Sequence, residues 1–81
     1  MADDNQKIIK DLEKSYKEEA KRSKERVKGL QIEQKMLQKL KNNGTDVPGL
    51  DQRLRDIQIE IAAERKRATD LLKFSGDLKK A

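Results

Sequence analysis

The chain has 81 residues, 43% charged and 33% hydrophobic, with one Phe, one Tyr and no Trp. Such a composition cannot fill a thick globular core, and it fits helices and coiled coils better than any sheet protein. The net charge is +5 and neither His nor Cys occurs, which removes disulfides, the soft metal ligands and the usual acid-base and nucleophilic side chains.

The N-terminal residues Asp3, Asp4 and Asn5 are capping types, and they place negative charge at the positive end of a first helix. That helix is expected over about 5–42. Lysines 7, 10, 14, 17, 21, 24 and 28 recur at alternating three- and four-residue steps, the period of one helical face. Beside them Tyr16, Ala20, Ser23, Val27, Leu30, Gln34 and Leu37 form an apolar seam of the same period, a heptad a/d series. The arm 7–41 carries twice as many basic as acidic residues. That balance favours an acidic protein surface, nucleic acid or anionic lipid as partner. The ladder has two readings. Either it docks an acidic partner, or it is a solvated face stitched by the i,i+4 pairs Lys14–Glu18 and Lys21–Glu25.

The segment Asn42-Asn43-Gly44-Thr45-Asp46-Val47-Pro48-Gly49 breaks the pattern. Asn and Gly end helices by adopting left-handed conformations, and Pro48 pushes Val47 out of the α region. A loop is therefore expected over 43–49. The second arm carries Leu50, Leu54, Ile57, Ile61, Glu64, Ala68, Leu71, Ser75 and Leu78 at heptad spacing. It is expected to be helical over about 50–75, with Ser75-Gly76-Asp77 opening a frayed tail over 76–81. A short linker brings neighbouring helices back antiparallel. Facing Leu37 with Leu54 then also faces Gln34 with Ile57, Leu30 with Ile61, Val27 with Glu64, Ser23 with Ala68, Ala20 with Leu71 and Tyr16 with Ser75. One alignment serves both seams, so residues 1–81 read as a single all-α domain, an antiparallel two-helix coiled-coil hairpin. Ile8, Ile9 and Leu12 could add a short N-terminal helix packed on it.

Ile32 and Met36 lie opposite the first seam beside Gly29, and Ile59 and Ala63 lie on the outer side of the second helix. Exposed aliphatics at one height point to a partner footprint or to the packing site of a third helix. Gly29 permits close backbone approach there at a cost of about 1 kcal/mol in a helix interior. Phe74 and Leu72 are expected to fold over the end of the seam, and Tyr16 to cap the distal core.

The stretch Arg26-Val27-Lys28-Gly29-Leu30-Gln31-Ile32-Glu33-Gln34-Lys35-Met36-Leu37 resembles the basic, glycine-bearing first helix of the HR1 repeat. That repeat is the antiparallel coiled-coil finger of Rho-effector kinases and F-BAR adaptor proteins. Leu40-Lys41-Asn42, Gly44, Asp46, Pro48 and Leu50-Asp51-Gln52-Arg53-Leu54 are similar to the adaptor branch's loop and second-helix start, with Gly44-Thr45-Asp46 standing where that branch has a Met-Gly-Asp turn. The resemblance covers roughly residues 15–75. It implies binding of a GTP-loaded Rho-family small GTPase through the helices and loop, while the lack of His, Cys and a glycine-rich phosphate loop points to a non-catalytic module without cofactor or metal, and the lack of a signal peptide to the cytoplasm. The expected footprint is Lys21, Lys24, Lys28, Gly29, Ile32, Met36, Gly44, Thr45, Asp46 and Ile59. Two alternatives stand beside it. The chain also looks like the RNA-binding helical arm of seryl-tRNA synthetases, and a homodimer would reinforce a thin core. No apolar run is of membrane-spanning length.

Overall fold

The computed structural model describes residues 2–80, with side chains from Asp4 to Lys80. It contains two helices, α1 (Ala2–Asn42) and α2 (Leu50–Lys79). They pack side by side in a rod 64 Å long and 15 × 14 Å across. At about 1.5 Å per residue a straight helix of α1's length spans nearly the whole rod. The fold is the expected all-α helical hairpin, and the described residues contain no strand.

The seams are where heptad spacing puts them. In α1, Ala20, Ser23 and Val27 are buried, and Tyr16, Leu30, Gln34 and Leu37 half-buried; in α2, Leu50, Leu54, Ile57, Ile61, Ala68 and Ser75 are buried, and Glu64, Leu71 and Leu78 half-buried. Val27, Ile57 and Ile61 form the centre, with Leu30 and Leu37 packed against them. Partners run in opposite order along the two helices, from Lys41–Asp51 beside the loop through Glu33–Arg53 and Arg26–Glu64 to Tyr16–Phe74 at the far end. The helices are therefore antiparallel in one alignment. Side-chain size falls along the seam: Leu and Ile fill the loop half, whereas Ala20, Ser23, Ala68 and Ser75 hold the helices close in the distal half.

The loop is two standard devices in succession. The Gly44 amide donates to Lys41 O (3.1 Å) and the Thr45 amide to Leu40 O (3.1 Å), with Gly44 at φ +76°. This is a Schellman stop, which satisfies carbonyls that the helix end would otherwise leave open. Val47-Pro48-Gly49-Leu50 then forms a type II turn: the Leu50 amide donates to Val47 O (3.1 Å), and Gly49 has φ 80°, ψ 0°. Proline fixes the first central residue of such a turn, and only glycine takes the second without strain.

Three sequence expectations differ from the structure. First, Ile8, Ile9 and Leu12 belong to an unbroken α1 rather than a separate short helix, because no breaker lies between them and Tyr16. Second, α1 begins at Ala2, so Asp4 and Asn5 lie in its first turn instead of capping it, while the Asp3 side chain lies outside the described residues. Third, α2 does not fray at Ser75 but continues to Lys79. Ser75 is buried against α1 and its hydroxyl donates to Glu13 O (3.4 Å), while the Tyr16 and Phe74 rings meet edge to face at 5.2 Å. These tertiary contacts outweigh the local weakness of Ser-Gly-Asp. Phe74 thus closes the distal seam with Tyr16. Leu72 does not; it lies on α2's other flank.

Candidate protein-binding surface

The two edges of the hairpin differ in charge economy. Along one edge the flanking heptad positions of α1 are Glu19, Arg26 and Glu33, and those of α2 are Arg53, Glu60 and Arg67. They interlock across the seam. Arg53 grips Glu33 through two hydrogen bonds, Nε to Oε2 (2.7 Å) and Nη2 to Oε1 (2.9 Å), and reaches Glu60 at 3.2 Å. Arg26 meets Glu64 at 3.1 Å, Arg67 meets Glu19 at 3.6 Å, and Arg22 also pairs with Glu19. The two-pronged Arg53–Glu33 contact is the geometrically specific kind. The hydrogen bond from Arg53 holds the Glu33 carboxyl below its usual range and raises the Arg53 guanidinium in turn.

Glu64 occupies a seam position. Its carboxyl is lowered first by the Ser23 hydroxyl and then by Arg26, while burial pushes the other way. One of its oxygens, Oε2, is buried without a partner. A polar layer of Ser23, Arg26 and Glu64 therefore interrupts the apolar core at mid-height.

Apart from the Lys41–Asp51 pair beside the loop (2.9 Å), the opposite edge has no such stitching. Its flanking positions are Lys17, Lys24 and Gln31 on α1 and Gln58, Arg65 and Leu72 on α2, so cations face cations or neutral groups. Among the described residues, no lysine from 7 to 28 lies within 4 Å of a carboxylate; the pairs Lys14–Glu18 and Lys21–Glu25 do not form. Exposed i,i+4 pairs contribute only a few tenths of a kcal/mol, too little to fix long side chains that water solvates as well. Between the rows lies an open groove of about 550 Å³. Val27, Ala68 and Leu72 line its floor, and Lys24, Lys28 and Arg65 its rims.

The expected footprint does not come together as one patch. Lys21 and Lys28 flank α1's outer face, where Gly29, Ile32 and Met36 follow them around the helix. Ile32 and Met36 are 61% and 65% exposed, and a Cβ at Gly29 would meet nothing within 4 Å. These form one continuous surface. Ile59 is equally bare at 67%, but it points away from the seam on α2, as Ile32 does on α1. Helices that face each other turn their outer residues in opposite directions, so Ile32 and Ile59 share a height and not a side. Gly44, Thr45 and Asp46 are exposed at the hairpin tip, about 24 Å from Lys28 at the helical rise. Gly44 and Thr45 have structural work there as the Schellman stop.

Arg65, Thr69 and Leu72 were not expected at an interaction surface. Charge counting misses Arg65 because α2 is nearly neutral, and Thr69 and Leu72 carry no charge to count. Extending the seam alignment to its flanking positions would have found Arg65 across from Lys24. Among the described residues no three His, Cys, Asp or Glu side chains converge as metal ligands would, and no helix is long and apolar enough to cross a membrane. Comparison with protein-family models, curated proteins and solved structures returned no match.

Proposed function

We propose that this hairpin is a non-catalytic protein-interaction module whose lysine-bearing edge docks an acidic partner in the cytoplasm. The difference between the two edges carries this reading. One row of charges is consumed in holding the helices together, whereas the lysines of the other row have, among the described residues, no carboxylate within 4 Å. Long-range attraction by such a row speeds encounter with an anionic surface. The apolar groove floor, or Ile32 and Met36 beside the lysines, then supplies contacts that slow dissociation.

A GTP-loaded Rho-family small GTPase is the partner class that the HR1 resemblance implies. The direct test is the affinity of the hairpin for Rho-family GTPases loaded with a GTP analogue or with GDP. Preference for the GTP-analogue form supports the assignment, and equal or undetectable affinities remove it. Lysines without carboxylate neighbours would also suit an RNA backbone. That alternative requires log K to fall with log salt by about 0.9 per neutralised phosphate on a duplex, and no RNA binding at low salt discards it.

A further inference from the structure

Resting on the reading of the chain as a docking module for an acidic partner, we propose that the open groove seats an acidic amphipathic α-helix of that partner. The helix would lie along the hairpin as a third strand of the coiled coil.

The groove offers what such a helix needs and little that another ligand would use. Its floor is apolar and continuous with the core: Val27 and Ala68 are buried, and Leu72 is a large aliphatic left partly open. The small Ala68 lets a backbone come close. Both walls are cationic, with Lys24 and Lys28 on α1 and Arg65 on α2, and none of the three meets a carboxylate within 4 Å. Glu64 also borders the groove, but Arg26 on the opposite edge engages its Oε1 (3.1 Å) and its Oε2 is buried away from the groove mouth. A helix with an apolar stripe flanked on both sides by Asp or Glu would bury its stripe on the floor and pair both flanks at once. Lys17 and Lys24, like Lys21 and Lys28, repeat every seven residues, so a partner with the same heptad repeat stays in register over several turns.

A second groove, on the stitched edge, is bounded by Arg26, Glu33, Glu60 and Glu64; its one cation is already paired with Glu64 and its other two carboxylates with Arg53, so it has no preference for an anionic ligand. A nucleic acid backbone would engage the lysines but leave the floor unused, and the chain lacks the aromatic platforms on which bases stack.

Two helical peptides of ~21 residues test the idea, both with Leu at a and d, one with Glu and one with Lys at e and g. Binding to the intact hairpin is read by fluorescence anisotropy at near-physiological salt and mapped by amide chemical shifts. The Glu peptide is expected to bind 1:1 and about tenfold or more tighter than the Lys peptide, the discrimination that opposed rims confer. Shifts should centre on Val27, Ala68 and Leu72. K24E/R65E should weaken the Glu peptide by about tenfold or more, whereas K66E/K73E, the same charge change on α2's outer face, should cost under about threefold. Should K24E/R65E lose helicity, Thr69→Glu reads the same rim from an exposed position.

Equal binding of the two peptides overturns the proposal, as do equal losses in the two double variants or shifts centred on Ile32 and Met36. So does a duplex RNA that binds the groove when the Glu peptide does not. Failure of the wider reading looks different. A GTPase that binds wild type and K24E/R65E equally removes the groove and keeps the docking role. A Glu peptide that binds when neither nucleotide state of a GTPase does keeps the groove and removes that partner.

Discussion

Ile57 is the best single probe of the alignment on which every surface assignment depends. It is fully buried (0% exposed) at the centre of the Val27–Ile61 cluster, while Ile59, two residues on, is 67% exposed. Ile57→Ala removes about three methylene equivalents, worth ~2.4 kcal/mol of transfer free energy. Cavity formation raises such losses into the range of about 2–5 kcal/mol. A two-helix rod closes partly over a void, and alanine's better helix propensity returns a few tenths of a kcal/mol. The expected net loss is ~3 kcal/mol. For a domain of this size each kcal/mol moves the midpoint by about 4–8 °C, so thermal unfolding followed by circular dichroism should show a drop of roughly 12–24 °C. Ile59→Ala should move it by only a few degrees, because exposed sites stay within about ±0.5 kcal/mol. If the two variants melt alike, the helices are not aligned as described, and the edges and the groove disappear with the alignment.

Four further outcomes follow from local features. Gly29 lies in an exposed helix interior with nothing within 4 Å of a Cβ, so Gly29→Ala should raise stability by about 0.8–1 kcal/mol, measurable as a higher urea midpoint. Gly49→Ala should do the opposite by about 1–2 kcal/mol, since the turn needs φ +80° and an L side chain resists it. The carboxyls of Glu33, Asp51 and Glu64 are held below their usual range by Arg53, by Lys41 and by Ser23 with Arg26. Groups lowered on folding favour the native state above their unfolded values. Their contribution should be complete above about pH 5 and lost as pH falls through the folded values, a decline that melting curves from pH 7 to pH 2 would track. Finally, S23A/E64L replaces the buried part of the polar layer with apolar side chains, and Arg26, whose side chain is 45% exposed, turns to water; the melting midpoint should rise, because well-packed apolar groups often match or exceed a charged pair taken out of water.

Much of the architecture could be read from spacing alone. Seam residues as unlike as Leu54, Glu64 and Ser75 share a phase and not a polarity, and all three lie in the interface. Pro48-Gly49 marked the turn because few other residue pairs satisfy its geometry. What escaped detection depended on the third dimension. Ser75-Gly76-Asp77 looks like an end until Glu13 and Tyr16 are brought against it. Ile32 and Ile59 look like neighbours at one height until the helices are set face to face. The choice of stitched edge arises from Glu19, Arg26 and Glu33 meeting Arg53, Glu60 and Arg67, a match visible only once flanking positions are paired across the seam. The open edge is its complement, so the candidate groove stayed hidden for the same reason.

The taper in side-chain size along the seam implies an uneven resistance to unzipping. Around the loop, Leu50, Leu54, Ile57 and Ile61 bury long aliphatic chains close to a short covalent link. From mid-height outward, the fully buried seam residues Ala20, Ser23, Ala68 and Ser75 are small, and the large ones beside them, Tyr16 and Leu71, are only half-buried. Local openings draw on the least stabilised units of a fold, so the hairpin should part from its free ends, like tweezers sprung at the tip. Amide hydrogens near Ala20 and Ala68 would then exchange sooner than those near Ile57. A ligand clasped between the arms would slow that exchange first at the distal end, a signature that a ligand sitting only on the outer face of α1 would not produce.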